Sequence, residues 1–302
     1  MKRIKIYALV LVCIVVSLCG CSKNYYNIFS NNIKTDNKVY SSKFKVHYID
    51  VGQGDSILIQ SGEKNMLIDT GTNESQGDLI RYLKKQKVEE INYMVLTHPH
   101  EDHIGGADKV IKKFKVDKVY MNSITTNTRT FRDLIYAMRD KGLKANEAHR
   151  DSFSLGKARC DIYGPLGTIV GNLNTYSIIV KITYGENKFL FTGDTQSTNE
   201  NEMINKGYDL SSDVLKIAHH GSRTSSSDEF LNYIDPKYAV ISCGKGNDYG
   251  HPHKQTVDKL KKRHIPVYRT DENGTIVCTS DGKNIKFSCT PGDYKSGERN
   301  YR

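Results

Sequence analysis

Three of the chain's ten histidines fall within six residues, in Thr97-His98-Pro99-His100-Glu101-Asp102-His103-Ile104-Gly105-Gly106. Imidazole and carboxylate are ligand types that suit zinc, iron or manganese. His98 and His100 stand two apart and can chelate one ion from a loop, while Asp102 and His103 point elsewhere and can hold a second ion nearby. Three other apolar runs end in groups of the same kind. Met66-Leu67-Ile68 leads into Asp69, Phe189-Leu190-Phe191 into Thr192-Gly193-Asp194, and Val214 to Ala218 into His219-His220-Gly221-Ser222. A lone aspartate after a strand is usually a turn former. Four such sites, all of metal-ligand type, predict a shared metal centre, because strand ends on one edge of a sheet converge in space.

The elements that must position these groups follow from periodicity. Ile91 to Leu96 reads as a buried strand and Ala107 to Phe114 as a helix, so the histidine cluster sits on a strand-to-helix loop. Phe44 to Val51, Ser56 to Gln60 and Met66 to Asp69 read as strands, with Asp55 in the turn Gly52-Gln53-Gly54-Asp55. A helix is expected over 78–87, a strand over 116–121, a helix over 130–141 and a short strand over 160–163. Ser177 to Thr183 and Lys188 to Phe191 form a hairpin. A strand at 214–218, a helix at 227–234, a strand at 238–242, a Gly- and His-rich loop at 244–253 and a helix at 255–263 follow. Residues 274–289 close the domain as a hairpin, and 290–302 read as a polar, mobile tail. One continuous α/β pattern over 43–289 predicts a single domain of two sheets flanked by helices.

The N-terminus is different in kind. Met1-Lys2-Arg3-Ile4-Lys5 precedes an apolar run from Ile6 to Leu18, 13 residues long. That is short of the ~20 a spanning helix needs and has the form of a signal-peptide core. Leu18-Cys19-Gly20-Cys21 resembles the lipobox of bacterial lipoproteins. The resemblance implies removal of residues 1–20, lipid on Cys21, a tether over 21–42, and a protein held at the cell membrane facing outside the cytoplasm. The formal charge of +10 then falls to +7 with the loss of Lys2, Arg3 and Lys5. A basic surface permits polyanionic partners, DNA, wall polymer or lipid, without selecting one. With Asp281-Gly282 as the turn pair of the last hairpin, Cys278 would face Ile285 and not Cys289, so no disulfide framework is expected.

His98-Pro99-His100-Glu101-Asp102-His103 matches the HxHxDH signature of the metallo-β-lactamase fold superfamily, and Leu67 to Gly71 and Leu190 to Asp194 resemble its first and fourth motifs. Val51-Gly52-Gln53-Gly54-Asp55-Ser56, Lys216 to Ser222 and Asn247-Asp248-Tyr249-Gly250-His251-Pro252 are similar to the ComEC family of competence DNA-uptake channels, whose extracytoplasmic part carries this hydrolase fold. The likeness runs from Phe44 to Phe287 and leaves out the channel, so DNA transport does not carry over.

The resemblance implies a four-layer αββα sandwich and two divalent ions, zinc or manganese, that share an attacking hydroxide. It implies His98, His100 and Asp194 as ligands of one ion, and Asp102, His103, Asp194 and one of His219 or His220, with His220 preferred, as ligands of the other. Many superfamily members carry a further histidine where this chain reads Gly171 to Ser177, so the first ion lacks one ligand. Asp102 is expected to orient the hydroxide, Asp69 and Asp55 to stand behind the ligands, and His251 to touch a phosphate oxygen or protonate a leaving group. Ser222, His253 and Asn174 are expected to contact substrate. These readings make the protein a phosphodiesterase or nuclease of ComEC type. The alternatives are an envelope phosphodiesterase acting on phosphorylcholine or teichoic-acid esters, and a non-catalytic binding lipoprotein.

Overall fold

Alternation along the strands decides where the core lies. In the strand Phe44–Tyr48, Phe44, Val46 and Tyr48 share one face and are all buried. The computed structural model describes residues 44–166 and 168–298. The expected signal peptide, Cys21 and the tether to residue 42 lie outside the described residues.

Fifteen strands are seen among these residues: β1 (Phe44–Tyr48), β2 (Ile57–Ser61), β3 (Lys64–Ile68), β4 (Glu90–Leu96), β5 (Lys115–Met121), β6 (Ala145–Glu147), β7 (Asp151–Leu155), β8 (Ala158–Tyr163), β9 (Ile179–Tyr184), β10 (Asn187–Phe191), β11 (Val214–Lys216), β12 (Tyr238–Ile241), β13 (Val267–Arg269), β14 (Ile276–Ser280) and β15 (Ile285–Phe287). They form one sheet in the order β15-β14-β1-β2-β3-β4-β5-β6 and a second in the order β13-β12-β11-β10-β9-β8-β7. Each sheet is antiparallel at one side and parallel at the other: β3, β4 and β5 run parallel, as do β10, β11 and β12.

Between the sheets lies a core that includes Phe44, Tyr48, Ile59, Ile182, Phe189 and Phe191. The outer face of the first sheet, with Leu58, Leu67 and Met94, packs on the helices α1 (Gln76–Lys85), α3 (Ala107–Lys113) and α4 (Arg129–Asp140); the short α2 (Glu101–Ile104) precedes α3. The outer face of the second, with Leu190, Leu215 and Ile241, packs on α5 (Ser197–Asn205), α6 (Asp228–Ile234) and α7 (Lys254–Lys262). A last single turn, α8, spans Thr270–Asn273. This is the expected four-layer αββα sandwich. No helix among the described residues is long and apolar enough to cross a membrane.

Two local expectations need correction. Cys278 pairs with Phe287, not Ile285, because the turn takes four residues, with Ser280 facing Ile285 across it. Asp281 Oδ1 accepts from the N–H groups of Lys283 and Asn284 and stabilises that longer loop. Cys160, Cys243, Cys278 and Cys289 are free thiols, as expected. Residues 290–298 are polar but not loose: the N–H of Gly292 donates to Val267 O at 2.8 Å, Tyr294 Oη to Ile265 O at 2.9 Å, and the N–H of Gly297 to Pro252 O at 2.8 Å. Several elements escaped the pattern, among them β6, β13, β7, whose residues are mostly exposed, and α5, where Met203 and Ile204 are the only large apolar residues.

Candidate metal centre

The parallel strands deliver their carboxyl ends to one crevice, the usual ligand position in α/β sheets. β3 leads into Asp69, β4 into His98, β10 into Asp194, β11 into His219 and His220, and β12 into the loop bearing His251.

The geometry forms two groups of ligand-type atoms that share Asp194. In the larger group, His103 Nε2 and His220 Nε2 lie 3.3 and 3.4 Å from Asp194 Oδ1, and His220 Nε2 lies 3.2 Å from Asp102 Oδ2. Two bonds of ~2.1 Å meeting at a tetrahedral angle put ligand atoms about 3.4 Å apart, so these spacings fit one ion. In the smaller group, His98 Nε2 is 2.9 Å from His100 Nδ1 and 3.8 Å from Asp194 Oδ2. Asp194 therefore turns one oxygen to each group. The donor atoms themselves argue for a cation: His103 Nε2, His220 Nε2 and Asp194 Oδ1 are buried without a hydrogen-bond partner. Such orphans are costly unless something binds them.

The residues behind these atoms set their tautomers. Asp69 accepts from the Thr97 N–H at 2.8 Å and from Thr97 Oγ1 at 2.7 Å, and its Oδ2 lies 2.7 Å from His103 Nδ1. His103 thus donates from Nδ1 and offers a lone pair at Nε2. His220 Nδ1 lies 3.0 Å from the Ser242 carbonyl, which only accepts, so its Nε2 is likewise free to ligate. Asp55 stands 3.4 Å from His220 Nδ1 and forms an ion pair at 2.8 Å with Lys216, both side chains fully buried. Backbone shape serves the same end: Asp69, His219 and His220 all have positive φ, strain typical of functional sites. Gly54 is needed where a Cβ would meet Asp102 O at 2.4 Å, and that approach lets the Asp55 N–H donate to the same oxygen at 3.1 Å.

Electrostatics follow from burial and proximity. Burial raises the Asp194 carboxyl, but His220 and His103 outweigh it and hold it well below the usual range. Burial likewise opposes ionisation of Asp55, but Lys216 and His220 hold it down at about 2. His98 is pushed well below the ordinary imidazole value, first by burial and then by His103.

The cleft over the centre has a volume of about 530 Å³ and is lined by Gln53, His100, Asn174, His219, Tyr249 and His251 among others. His219 stands outside both ligand groups. Its Nε2 is 3.2 Å from Asn174 Nδ2 and its Nδ1 is 3.2 Å from Thr224 Oγ1. Ser222, expected to touch substrate, does not line the cleft. It is buried, its hydroxyl is engaged with Thr224, and its carbonyl accepts from Thr256 Oγ1 of α7. His253 lies behind His251, edge-on at 4.8 Å, and its Nδ1 accepts from the Arg223 N–H. Sequence reasoning missed Lys216 and Gln53. A lysine in an otherwise apolar strand was the available signal, since a buried cation demands a partner.

This two-group site on two half-parallel sheets has matches among known proteins. Residues 49–245 match the family described as "Metallo-beta-lactamase superfamily". The chain belongs to that superfamily, whose members are mostly metal-dependent hydrolases. Within it, the chain is 31% identical over 270 residues to "ComE operon protein 3" of Bacillus subtilis, covering 83% of this chain and 35% of that protein. It is 27% identical over 241 residues to "Recombination protein 2" of Haemophilus influenzae, covering 77% of this chain and 28% of that one. The chain thus spans about a third of the length of the curated relatives it matches. The metallo-β-lactamase fold protein YhfI from Bacillus subtilis shares the fold, with a TM-score of 0.54 at 15% identity over 79% of this chain and all of that one. The relatives bear out the likeness to a competence-family hydrolase domain.

Proposed function

We propose that this metallo-β-lactamase superfamily protein is a phosphodiesterase that uses two divalent ions, zinc or manganese, and that its substrate is DNA. The observation that carries the reading is Asp194, one oxygen turned to each of two His-containing groups at the floor of an open cleft. A pair of ions held there supplies Lewis acidity and an acidified water. The chain's own residues do the rest. His98, His100 and Asp194 would hold one ion; Asp102, His103, His220 and Asp194 would hold the other. Asp102, the most accessible carboxylate of the larger group, is placed to orient a water. Asn174, His219 and His251 line the cleft and offer uncharged polar groups to the oxygens of a phosphodiester. Anchoring through lipid on Cys21, outside the cytoplasm, belongs to the same proposal and rests on the lipobox alone. DNA is favoured by the competence relatives and by the basic charge. A phosphodiester of the cell envelope is the second reading, which the lipobox supports.

Purified protein, reconstituted with zinc or manganese, is tested on bis-p-nitrophenyl phosphate, single- and double-stranded DNA, and wall polymer. Cleavage of DNA that stops with chelator and with His103→Ala is expected. Release of small phosphoesters from wall polymer with DNA left intact would move the assignment to the envelope, and no hydrolysis of any of these would leave a binding protein.

A further inference from the structure

His251 can meet a phosphodiester in two ways. It can give a proton to the leaving oxygen, or it can remain neutral and donate an N–H to a phosphoryl oxygen. Its surroundings choose between them. The backbone N–H of Gly244 donates to Gln53 Oε1 at 3.1 Å. With its oxygen so engaged, the Gln53 amide turns Nε2 toward the ring, 3.4 Å from His251 Nδ1. An amide nitrogen only donates, so Nδ1 is the acceptor and the single proton of a neutral ring sits on Nε2. An imidazolium here would set one N–H against another.

The ring is held in that orientation. The His251 N–H donates to Asn247 Oδ1 at 3.0 Å, while Asn247 Nδ2 donates to His251 O at 2.7 Å and to Gly244 O at 2.9 Å. Tyr249 stacks on one face, 5.5 Å away and 17° from parallel. His219, His220 and His253 surround the ring at 5.7, 6.1 and 4.8 Å. The ring lines the cleft, and among the described residues Nε2 has no hydrogen-bond partner.

We infer that Gln53 is a positioning residue that holds His251 as a neutral imidazole protonated on Nε2. So held, His251 is a hydrogen-bond donor to a non-bridging oxygen of a phosphodiester and not the acid for its leaving group. A neutral imidazole that gave up Nε2–H would become a strongly basic imidazolate, so the proton stays on the ring and polarises the oxygen, a role open to uncharged imidazoles. As the oxygen of an attacking water bonds to phosphorus and yields its proton to solvent, the bond to the departing oxygen breaks; the electron pair leaves with that oxygen, which takes a proton from solvent. The substrate half of this inference rests on the phosphodiesterase reading, whereas the tautomer half does not.

The test uses zinc-loaded protein labelled with ¹⁵N-histidine. Long-range ¹H–¹⁵N spectra, with the His251 ring assigned by its loss in His251→Gln, should show Nε2 protonated and Nδ1 bare from about pH 5 to pH 9. Gln53→Glu should move the proton to Nδ1 or add a second one. A wild-type ring protonated on Nδ1, or one that titrates in that range, overturns the inference. In turnover, His251→Ala should lose on the order of 10²-fold, equally for p-nitrophenolate and alkoxide leaving groups, and His251→Gln should recover most of it. Loss confined to alkoxide leaving groups, with His251→Gln as poor as His251→Ala, overturns the donor role. An Nε2–H ring in a protein that cleaves no phosphodiester overturns the substrate half together with the proposed function and upholds the role of Gln53.

Discussion

The two ligand groups that share Asp194 are built differently. In the larger one, Asp102, His103 and His220, both histidines are backed: Asp69 and Thr97 behind His103, and Ser242, Asp55 and Lys216 behind His220. In the smaller one, His98 and His100, the groups seen behind His98 among the described residues are hydroxyls, with Thr97 Oγ1 3.2 Å and Ser177 Oγ 3.4 Å from His98 Nδ1. Carboxylates behind a ligating imidazole make it a stronger ligand, and hydroxyls do so less. The larger group also contributes three residues besides Asp194 and the smaller only two. Two ions bound as proposed would therefore be held unequally, the larger group's tightly and the smaller group's exchangeably. An exchangeable ion leaves coordination positions for substrate oxygens.

The comparison can be broken most severely at its shared member. Asp194→Ala should lose both ions and reduce hydrolysis to background, as measured by metal content per chain after desalting. A variant that keeps two equivalents would show that Asp194 does not join the groups. Next in size is Lys216→Met, which strands the Asp55 charge in the core. Removing one partner of a buried pair costs about 3–5 kcal/mol, read here as a lower denaturant midpoint of the metal-free protein. Adding Asp55→Asn should restore most of that loss, and a neutral single variant would show that Lys216 does not support the His220 side.

His98→Ala should empty the smaller group alone and leave about one equivalent of metal, while His220→Ala should weaken the tighter ion. If His98→Ala strips both ions, the groups are not separable. The finest distinction is between supports. Asp69→Asn should weaken the tighter ion about 10–100-fold, and Ser177→Ala should weaken the other by less than about 10-fold, both read by competition with a chelating dye. Equal effects would erase the asymmetry inferred from the residues behind the ligands.

Much of the centre was legible without coordinates. Ligand chemistry is local: a histidine or aspartate after an apolar strand declares itself by type, and His98, His100, Asp102 and His103 fall within six residues. The order of strands and helices likewise follows from the period of apolar residues, which is why the two flanked sheets were expected. Other features depended on contacts between distant segments. Nothing near His219 and His220 in the chain tells which ring turns inward. Two successive left-handed residues bring His220 against Ser242 and Asp55 and leave His219 beside Asn174 at the cleft. Gln53 meets His251 and Gly244 across nearly two hundred residues, so its amide acquires a direction only when both loops are in place. Lys216 is one more strand residue until folding places Asp55 beside it. Residue types and their spacing determined which groups could bind metal. Packing of remote strand ends decided which atoms face the ions, which stand behind them and which are left for substrate, because orientation is a property of neighbours and not of the chain alone.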